Sequence, residues 1–276
     1  MGPEIADLLT GRSRTNAENG RIVITGTGRA GTTFLMQLFA ALGFDTGYSL
    51  AQAIAAVDET SHAGLEQHFV DSRDNPYVIK SPWFAEQLLE TLDSHCINIY
   101  AAIIPVRDLF EAAESRRKVY YAALSTGLDP LRHPGSLMLT NRPSNQEDVL
   151  ATLFYKTVNA LVKHEINTVF VEFPRFVLDC DYLFRRLAWL LEDHGIDFSE
   201  FAEAHRRVAR PDLIGGASAE RGVGDGRRPH RGSVWARSAV RAKCFRLAIF
   251  LRWKFRRWHV LPSKRSPDLQ AQESRE

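Results

Sequence analysis

The chain has 276 residues, of which 45% are hydrophobic, and a formal net charge of +2, so it is long enough to bury the core of one large domain or two small ones. The polar segment 1–19 lacks the apolar stretch of a secretory signal, no apolar run is long enough to span a bilayer, and the three cysteines form neither a disulfide framework nor a zinc motif. Charge is uneven, since residues 206–265 contain 17 Lys and Arg against 3 Asp and Glu, so the C-terminal part is basic. The cysteine pattern favours a reducing compartment, and we predict a cytoplasmic protein.

Short β-branched runs alternate with helical patterns from residue 20 to about residue 210. The predicted strands cover residues 21–25, 77–80, 98–106 and 168–173, and the predicted helices cover residues 32–42, 83–92, 108–124, 145–163 and 181–191. Near-continuous apolar runs such as IYAAIIPV are typical of strands that are covered on both faces. The predicted fold class is therefore α/β, with a central parallel sheet and helices on both of its faces.

Three segments do not follow this alternation. Residues 1–19 are predicted to be disordered, and residues 125–146, rich in Pro, Gly, Ser and Asn, are predicted to form a loop of the size that often covers or binds a ligand. Beyond the predicted domain of residues 20–214, the segment 215–276 combines a Gly- and Arg-rich stretch, a basic aromatic helix at residues 236–260 and a polar tail. That helix either docks on the core or lies on an anionic membrane surface, and no recognised nucleic-acid-binding module accompanies its charge.

The segment after the first predicted strand has the pattern of a phosphate-binding loop with one change. Gly26 and Gly31 are five positions apart between a strand and a helix, which directs backbone N–H groups towards an anion. Thr32 stands where the P-loop pattern requires lysine, and Arg29 supplies a guanidinium that suits phosphate or sulfate oxygens. The missing lysine argues against an ordinary ATP or GTP hydrolase. A glycine turn without any ligand is the alternative.

The stretch GTGRAGTTFL resembles the 5′-phosphosulfate loop of sulfotransferases, which are P-loop-fold enzymes that transfer a sulfuryl group from 3′-phosphoadenosine 5′-phosphosulfate (PAPS). The family's loop carries Lys or Arg two positions before its second glycine, followed by Gly-Thr-Thr or Gly-Thr-Ser. The resemblance covers about residues 20–210, is closest in style to bacterial carbohydrate-type and tyrosylprotein-type enzymes, and implies a P-loop NTPase-like three-layer sandwich. The residues that it implies for holding the phosphosulfate are Gly28, Arg29, Ala30, Gly31, Thr32 and Thr33.

Two further motifs agree with this family. The family's 3′-phosphate site is an arginine at a strand end and a serine eight residues later, and IIPVRDLFEAAES supplies Arg107 and Ser115 at that spacing. VIKSPWF resembles the segment after the family's second strand, where a lysine approaches the transferring group, and this implies that role for Lys80. The alternatives are an exposed arginine, a polar helix position and a lysine that is simply solvated at a strand end.

The resemblance leaves the catalytic base open. Sulfuryl transfer to a hydroxyl needs a group that accepts the proton, usually His, Glu or Asp. Pro82 stands where some relatives have histidine, so a carboxylate is favoured, and Asp45 follows the first predicted helix as the carboxylate does in other relatives. Glu59, His62 and Glu66 are rivals. Asp45 also fits a turn residue that hydrogen-bonds its own backbone.

The sequence therefore predicts a sulfotransferase that uses PAPS without a metal, with Arg29, Lys80 and Asp45 as catalytic residues and a saccharide, lipid or phenol hydroxyl as acceptor. Peripheral contact with an anionic membrane through residues 236–260 is a further expectation. Two alternatives stay open. A small-molecule kinase with a degenerate loop would bind ATP with Mg²⁺, and a non-catalytic adaptor of the same fold would use its basic tail to bind a membrane or an acidic polymer.

Overall fold

The computed structural model describes residues 20–58, 61, 63–67, 75–81, 84–94 and 97–214. Four strands form one parallel sheet in the order β2-β1-β3-β4. Their bounds are β1 Arg21–Ile24, β2 Val78–Lys80, β3 Ile99–Val106 and β4 Thr168–Glu172. Each predicted strand is present within one residue of its predicted ends, so the predicted α/β fold with a parallel sheet is confirmed.

The strands are buried on both faces because successive side chains of a strand point to opposite sides of the sheet. Ile22 and Ile24 of β1 belong to one hydrophobic cluster, and Val23 between them belongs to another. All three side chains are fully buried. This two-sided burial explains why the strand sequences are nearly continuous apolar runs rather than alternating ones.

Helices surround the sheet. Their bounds are α1 Thr32–Ala41, α2 Leu50–Ala55, α3 Phe84–Asp93, α4 Leu109–Ser125, α5 Gln146–Lys163, α6 Arg175–Leu178, α7 Cys180–Glu192 and α8 Phe198–Val208, and short 3₁₀ turns lie at Pro143–Asn145 and Pro211–Leu213. The five predicted helices, now α1, α3, α4, α5 and α7, are confirmed within one residue at each end. The sequence analysis did not predict α2, α6 or α8.

The helices lie in two layers. On one face of the sheet, α1, α7 and α8 contribute Leu35, Leu187 and Phe201 to the core, and on the other face α3 and α5 contribute Leu88 and Leu161. The described part of the chain is therefore an α/β sandwich of three layers, with the sheet in the middle.

The predicted loop between α4 and α5 is present and is attached to the domain. Residues 126–142 contain neither helix nor strand, and Met138 within them packs with Ala112 of α4. The amide of Gln146 holds the backbone of Met138 from both sides, since Oε1 accepts from the Met138 N–H at 2.7 Å and Nε2 donates to the Met138 carbonyl at 3.3 Å. We call residues 126–142 the α4–α5 segment.

Several predictions concern parts of the chain that are not described. The predicted disordered segment 1–19, the predicted basic helix at residues 236–260, and the rival base residues Glu59 and His62 all lie outside the described residues. Within the ranges given above, no helix combines the length and apolar character needed to cross a membrane. The same ranges contain no group of three or more His, Cys, Asp or Glu side chains arranged to hold a metal ion.

Candidate functional site

The loop predicted to bind phosphate lies at the carboxyl edge of the sheet. The loop follows β1, Ser81 follows β2, and Arg107 follows β3. Because the strands are parallel, their three carboxyl ends lie at the same edge of the sheet. The neighbours of β1 are β2 on one side and β3 on the other, so the connections diverge at β1. Such a switch point opens the crevice in which α/β proteins bind ligands.

Three glycines give the loop a left-handed backbone: Gly26 (φ 135°), Gly28 (φ 66°) and Gly31 (φ 81°). Gly31 is also packed closely, because a Cβ at this position would lie 2.7 Å from the Phe176 ring and 2.9 Å from the Phe173 ring. Both the backbone angle and the close approach therefore require glycine at the start of α1.

Arg29 is the loop's one non-glycine residue with a left-handed backbone, at a φ of 56°, which is uncommon for a residue with a Cβ. Its Nε donates to Ser115 Oγ at 3.0 Å, and its Nη1 donates to the Ser61 carbonyl. Burial and the positive charge of Arg107 lower the pKa of Arg29 to about 10, and Asp58 partly offsets this. Arg29 is therefore a largely buried cation that hydrogen-bonds a hydroxyl and a carbonyl.

Arg107 approaches the same residue from β3. Its Nη1 donates to the Arg29 carbonyl at 3.1 Å, its Nε lies 3.5 Å from a carboxylate oxygen of Glu111, and its guanidinium lies 5.0 Å from the centroid of the Phe173 ring. Arg107 thus contacts Arg29 through the main chain, and Ser115 contacts it through the side chain. The residues predicted for the 3′-phosphate adjoin the residue predicted for the 5′-phosphosulfate.

Arg116 is a fourth residue of the site, and the sequence analysis missed it. Its Nη2 donates to the Thr27 carbonyl at 2.7 Å, and its Nη1 donates to the Ser136 carbonyl at 2.6 Å. The residue is only 6% exposed. Burial and the nearby Arg29 lower the pKa of Arg116 to about 9, and Glu66 partly offsets this.

The sequence did contain a signal for Arg116. The buried face of α4 carries Ala112, Val119 and Ala123, and Arg116 stands on the same stripe at helical spacing. An arginine in the middle of an apolar stripe must find partners inside the protein, because a buried charge without hydrogen bonds is costly. The spacing from Arg107 to Ser115 alone gives no indication of this burial.

Arg107 and Arg116 orient the amides of the loop. In a trans peptide the C=O and N–H point in opposite directions, so a carbonyl held by an arginine turns the next N–H away from that arginine. The contact at the Thr27 carbonyl orients the Gly28 N–H, and the contact at the Arg29 carbonyl orients the next amide along. Among the described residues, no backbone carbonyl accepts a hydrogen bond from the backbone N–H groups of residues 27–31.

The start of α1 adds to this donor set. Its N-cap residue, Gly31, provides no side-chain cap, and its first turn contains no acidic residue. The first N–H groups of a helix have no partner within the helix and carry partial positive charge. Ala30 and Thr32 are 1% and 6% exposed, so they serve the loop mainly through their backbones. The loop and helix start together form a set of donors that suits an anion.

Lys80 brings a further cation to the loop from the end of β2, where it is 1% exposed. Its Nζ donates to Thr33 Oγ1 and to Glu66 Oε1, each at 3.0 Å, and also to the Gly64 carbonyl. Burial lowers the pKa of Lys80, and Glu66 partly offsets this. The predicted lysine, the second threonine of the loop and one of the rival carboxylates therefore meet at a single ammonium group.

Asp45 lies at the opposite edge of the sheet. Its Oδ1 accepts from the Gly47 N–H at 3.1 Å, its Oδ2 accepts from the Tyr77 N–H at 3.4 Å, and its carbonyl accepts from the Val78 N–H at 2.9 Å. These contacts fix it where β2 begins, whereas Lys80 is where β2 ends, and α1 has carried the chain from one edge to the other. Asp45 is a turn residue and is not placed to serve as the predicted base. Glu66 is the rival that the structure brings to Lys80.

Basic side chains outnumber acidic ones around the loop. Among the described residues, the cations are Arg29, Lys80, Arg107 and Arg116, and the carboxylates that pair with them or act on their pKa values are Asp58, Glu66 and Glu111. Two of the cations, Lys80 and Arg116, are almost completely buried. An anionic ligand at the loop would balance this charge.

Comparison of the chain with protein-family models, with curated proteins and with solved structures finds no match. The functional interpretation therefore depends on the geometry of the site itself.

Proposed function

We propose that the protein is a PAPS-dependent sulfotransferase of the P-loop type, which transfers a sulfuryl group to a hydroxyl of its acceptor. The observation that carries the proposal is the 3.0 Å contact between Lys80 Nζ and Thr33 Oγ1. In P-loop ATPases and GTPases the Ser or Thr at this position binds Mg²⁺, and the residue before it is the lysine that reaches the β- and γ-phosphates. Here that preceding residue is Thr32, and the hydroxyl contacts a protein ammonium.

The residues present fit the two anionic groups of PAPS. The loop amides and Arg29 would hold the 5′-phosphosulfate, and Arg107 with Ser115 would hold the 3′-phosphate. Both groups belong to one ribose, so their binding sites must adjoin. The 3.0 Å contact between Arg29 Nε and Ser115 Oγ and the 3.1 Å contact between Arg107 Nη1 and the Arg29 carbonyl meet this requirement.

The side chains around the loop also match the chemistry. PAPS supplies an activated sulfuryl group when it is bound. Lys80 and Arg29 place positive charge where negative charge develops during transfer. Glu66, whose side chain is 31% exposed and whose Oε1 lies 3.0 Å from Lys80 Nζ, can be reached by an acceptor and would take the proton of its hydroxyl. The acceptor class that we propose is a saccharide, lipid or phenol with a free hydroxyl.

A thermal shift tests the nucleotide. Adenosine 3′,5′-bisphosphate should raise the melting temperature without any added metal, and ATP with Mg²⁺ should change it little. At a ligand concentration one hundred times the dissociation constant, the stabilisation is about 2.7 kcal/mol, which a thermal shift detects easily. Stabilisation by Mg²⁺-ATP alone would replace the proposal with a kinase. If neither nucleotide changes the melting temperature, the loop has a structural role and a non-catalytic adaptor is favoured.

Variants of Arg29 sharpen this test. Arg29→Ala should weaken PAPS binding strongly, because it removes a guanidinium that can bind two oxygens at once. Arg29→Lys should weaken binding less, because lysine keeps the charge without the planar fork. Isothermal titration with the bisphosphate measures both, and equal affinities in the two variants would show that the fork is not used.

A further inference from the structure

Arg116 connects two parts of the protein that are distant in sequence. One end of its guanidinium binds the Thr27 carbonyl of the phosphate loop, and the other end binds the Ser136 carbonyl of the α4–α5 segment. A third contact, 3.6 Å long, joins its Nη2 to the sulfur of Met138. One planar group thereby fixes the distance between the loop and the segment.

The same segment lies directly against Arg29. A Cβ placed on Gly135 would be 3.2 Å from Arg29 Nη1 and 3.2 Å from the Cβ of Ser61. Gly135 has a φ of 75°, so both the backbone and the close approach favour glycine there. The α4–α5 segment therefore covers the cation that is proposed to hold the phosphosulfate.

The partners of Arg116 are unusual for a buried charge. In the described part of the chain no carboxylate forms an ion pair with it, and its Nε has no hydrogen-bond partner. The Ser136 hydroxyl, in a residue that is 2% exposed, also has none. A buried guanidinium whose partners are mainly carbonyls is not neutralised by a carboxylate, so its positive charge acts on the groups around it. The nearest site at which this charge could stabilise a ligand is the anion site formed by the loop.

We propose that Arg116 is a positioning residue, which sets the direction of the Gly28 N–H through the Thr27 carbonyl and holds the Gly135–Met138 stretch over Arg29 as part of the same site. An anion bound at the loop should consequently stabilise the stretch, although the two are joined through a side chain rather than through the backbone. The identity of that anion as PAPS rests on the proposed function. The connection between the loop and the Gly135–Met138 stretch through Arg116 does not depend on the proposed function.

Hydrogen exchange of the Ser136 and Met138 amides reports on the stretch, because these amides donate to the His133 carbonyl at 3.1 Å and to Gln146 Oε1 at 2.7 Å. In the wild-type protein, saturating adenosine 3′,5′-bisphosphate should slow their exchange by roughly tenfold. Inorganic pyrophosphate serves as a second probe that makes no assumption about the nucleoside. If an anion binds without slowing these amides, the connection is refuted.

Arg116→Lys is the decisive variant, because one ammonium cannot reach both carbonyls with the geometry of the guanidinium fork. It should speed exchange of both amides and weaken bisphosphate binding by roughly tenfold, as expected for one lost charge-assisted contact. Bound anion should no longer slow the exchange. Far-UV circular dichroism and a melting curve show whether the variant is folded. If it is not, amide exchange in the wild-type protein with and without bound anion tests the connection instead.

Gln146→Met is the matched control. It removes the other attachment of Met138 and leaves Arg116 and Thr27 in place, so exchange should rise while bisphosphate affinity stays within about twofold of wild type. A purely structural Arg116 would behave like this control, and that result would overturn the proposal. If the bisphosphate fails to bind but pyrophosphate slows exchange in the wild type and not in Arg116→Lys, the sulfotransferase assignment fails and the positioning role stands. If neither anion binds the wild-type protein, the positioning role fails as well.

Discussion

The two edges of the sheet differ in how their polar side chains are partnered. At the amino edge, three polar side chains bind other groups of the protein. The Asp45 carboxylate accepts from two backbone N–H groups, the Tyr77 hydroxyl lies 3.1 Å from His194 Nε2, and the Tyr100 hydroxyl donates to Asp193. His194 Nδ1 lies 2.8 Å from the Leu190 carbonyl. In a neutral imidazole with its proton on Nδ1, the Tyr77 hydroxyl donates to Nε2.

At the carboxyl edge several cations lie close together, and the described carboxylates balance their charge only partly. Burial lowers the pKa values of Arg29 and Arg116, and the charges of Arg107 and Arg29, respectively, lower them further. The backbone at Arg29 is left-handed as well. Unfavourable features of this kind concentrate at functional sites. The polar side chains named at the amino edge are paired with other groups of the protein, whereas we propose that a bound anion balances the charge at the carboxyl edge.

The largest expected difference between the edges is in turnover. Glu66→Gln should lower turnover by roughly a hundredfold or more, since it removes the proposed base while leaving bisphosphate affinity near wild type. Asp45→Asn should change turnover less than about twofold, because Asp45 is at the other edge. Release of adenosine 3′,5′-bisphosphate from PAPS with a panel of hydroxyl acceptors measures both. A large loss in Asp45→Asn with none in Glu66→Gln would reverse the assignment.

The next largest effect concerns the 3′-phosphate. Arg107→Ala should remove most of the discrimination between adenosine 3′,5′-bisphosphate and AMP, because only the former presents a 3′-phosphate. The lost charge-assisted contact is worth about 1.5 to 3 kcal/mol, and titration calorimetry with the two ligands measures it. Arg132→Ala, at a side chain that is 90% exposed, is the matched control and should leave the ratio unchanged. Equal weakening of both ligands by Arg107→Ala would place the 3′-phosphate elsewhere.

A smaller effect separates function from stability. Arg29→Gly relieves a left-handed backbone and removes a buried charge, so the free energy of unfolding should rise by about 1 to 2 kcal/mol while bisphosphate binding is lost. Glu165→Gly is the control, since Glu165 is exposed and has a φ of 54° without a buried charge. Urea denaturation of both variants gives the two free energies. A fall in stability at Arg29→Gly alone would mean that Arg29 stabilises the fold.

The smallest effect tests the amino edge by pH. Burial, and to a lesser degree Asp193, raise the pKa of Tyr77 to about 12, with Arg21 acting in the opposite direction. Since an unfolded tyrosine has a pKa of about 10, the folded state is favoured fully below pH 10, and this contribution is lost as the pH rises towards 12. The free energy of unfolding should therefore fall more steeply in the wild type than in Tyr77→Phe over this range. Identical slopes would contradict the assignment.

Local patterns predicted most of the fold. Apolar runs and turn residues located the strands and five helices because each element is determined largely by its own residues. The missed helix α8 had a signal of its own, since the Asp197 side chain accepts from the Glu200 N–H at its start, an arrangement that N-cap rules describe. The missed helix α2 starts with a capping box between Ser49 and Gln52.

The site was less predictable, because it depends on which side chains meet after folding. Arg29, Arg107 and Ser115 were predicted through the resemblance to sulfotransferases, whose motifs have a fixed spacing along the chain. The position of Asp45 at the amino edge could not be predicted in this way, because it depends on the length and direction of α1. The selection of Glu66 depends on a contact with Lys80, and nothing in the local sequence specifies that contact.

The contact between Arg29 and Ser115 has a thermodynamic consequence for fragments of the proposed nucleotide. An adenosine derivative with only a 5′-phosphate, or only a 3′-phosphate, must break this 3.0 Å hydrogen bond and replaces just one of its ends. A derivative with both phosphates breaks the bond once and replaces both ends. The free-energy gains of the two phosphates should therefore be more than additive in a cycle of adenosine, 3′-AMP, 5′-AMP and the bisphosphate. The size of that cooperativity would measure how strongly the unliganded protein holds its own site closed.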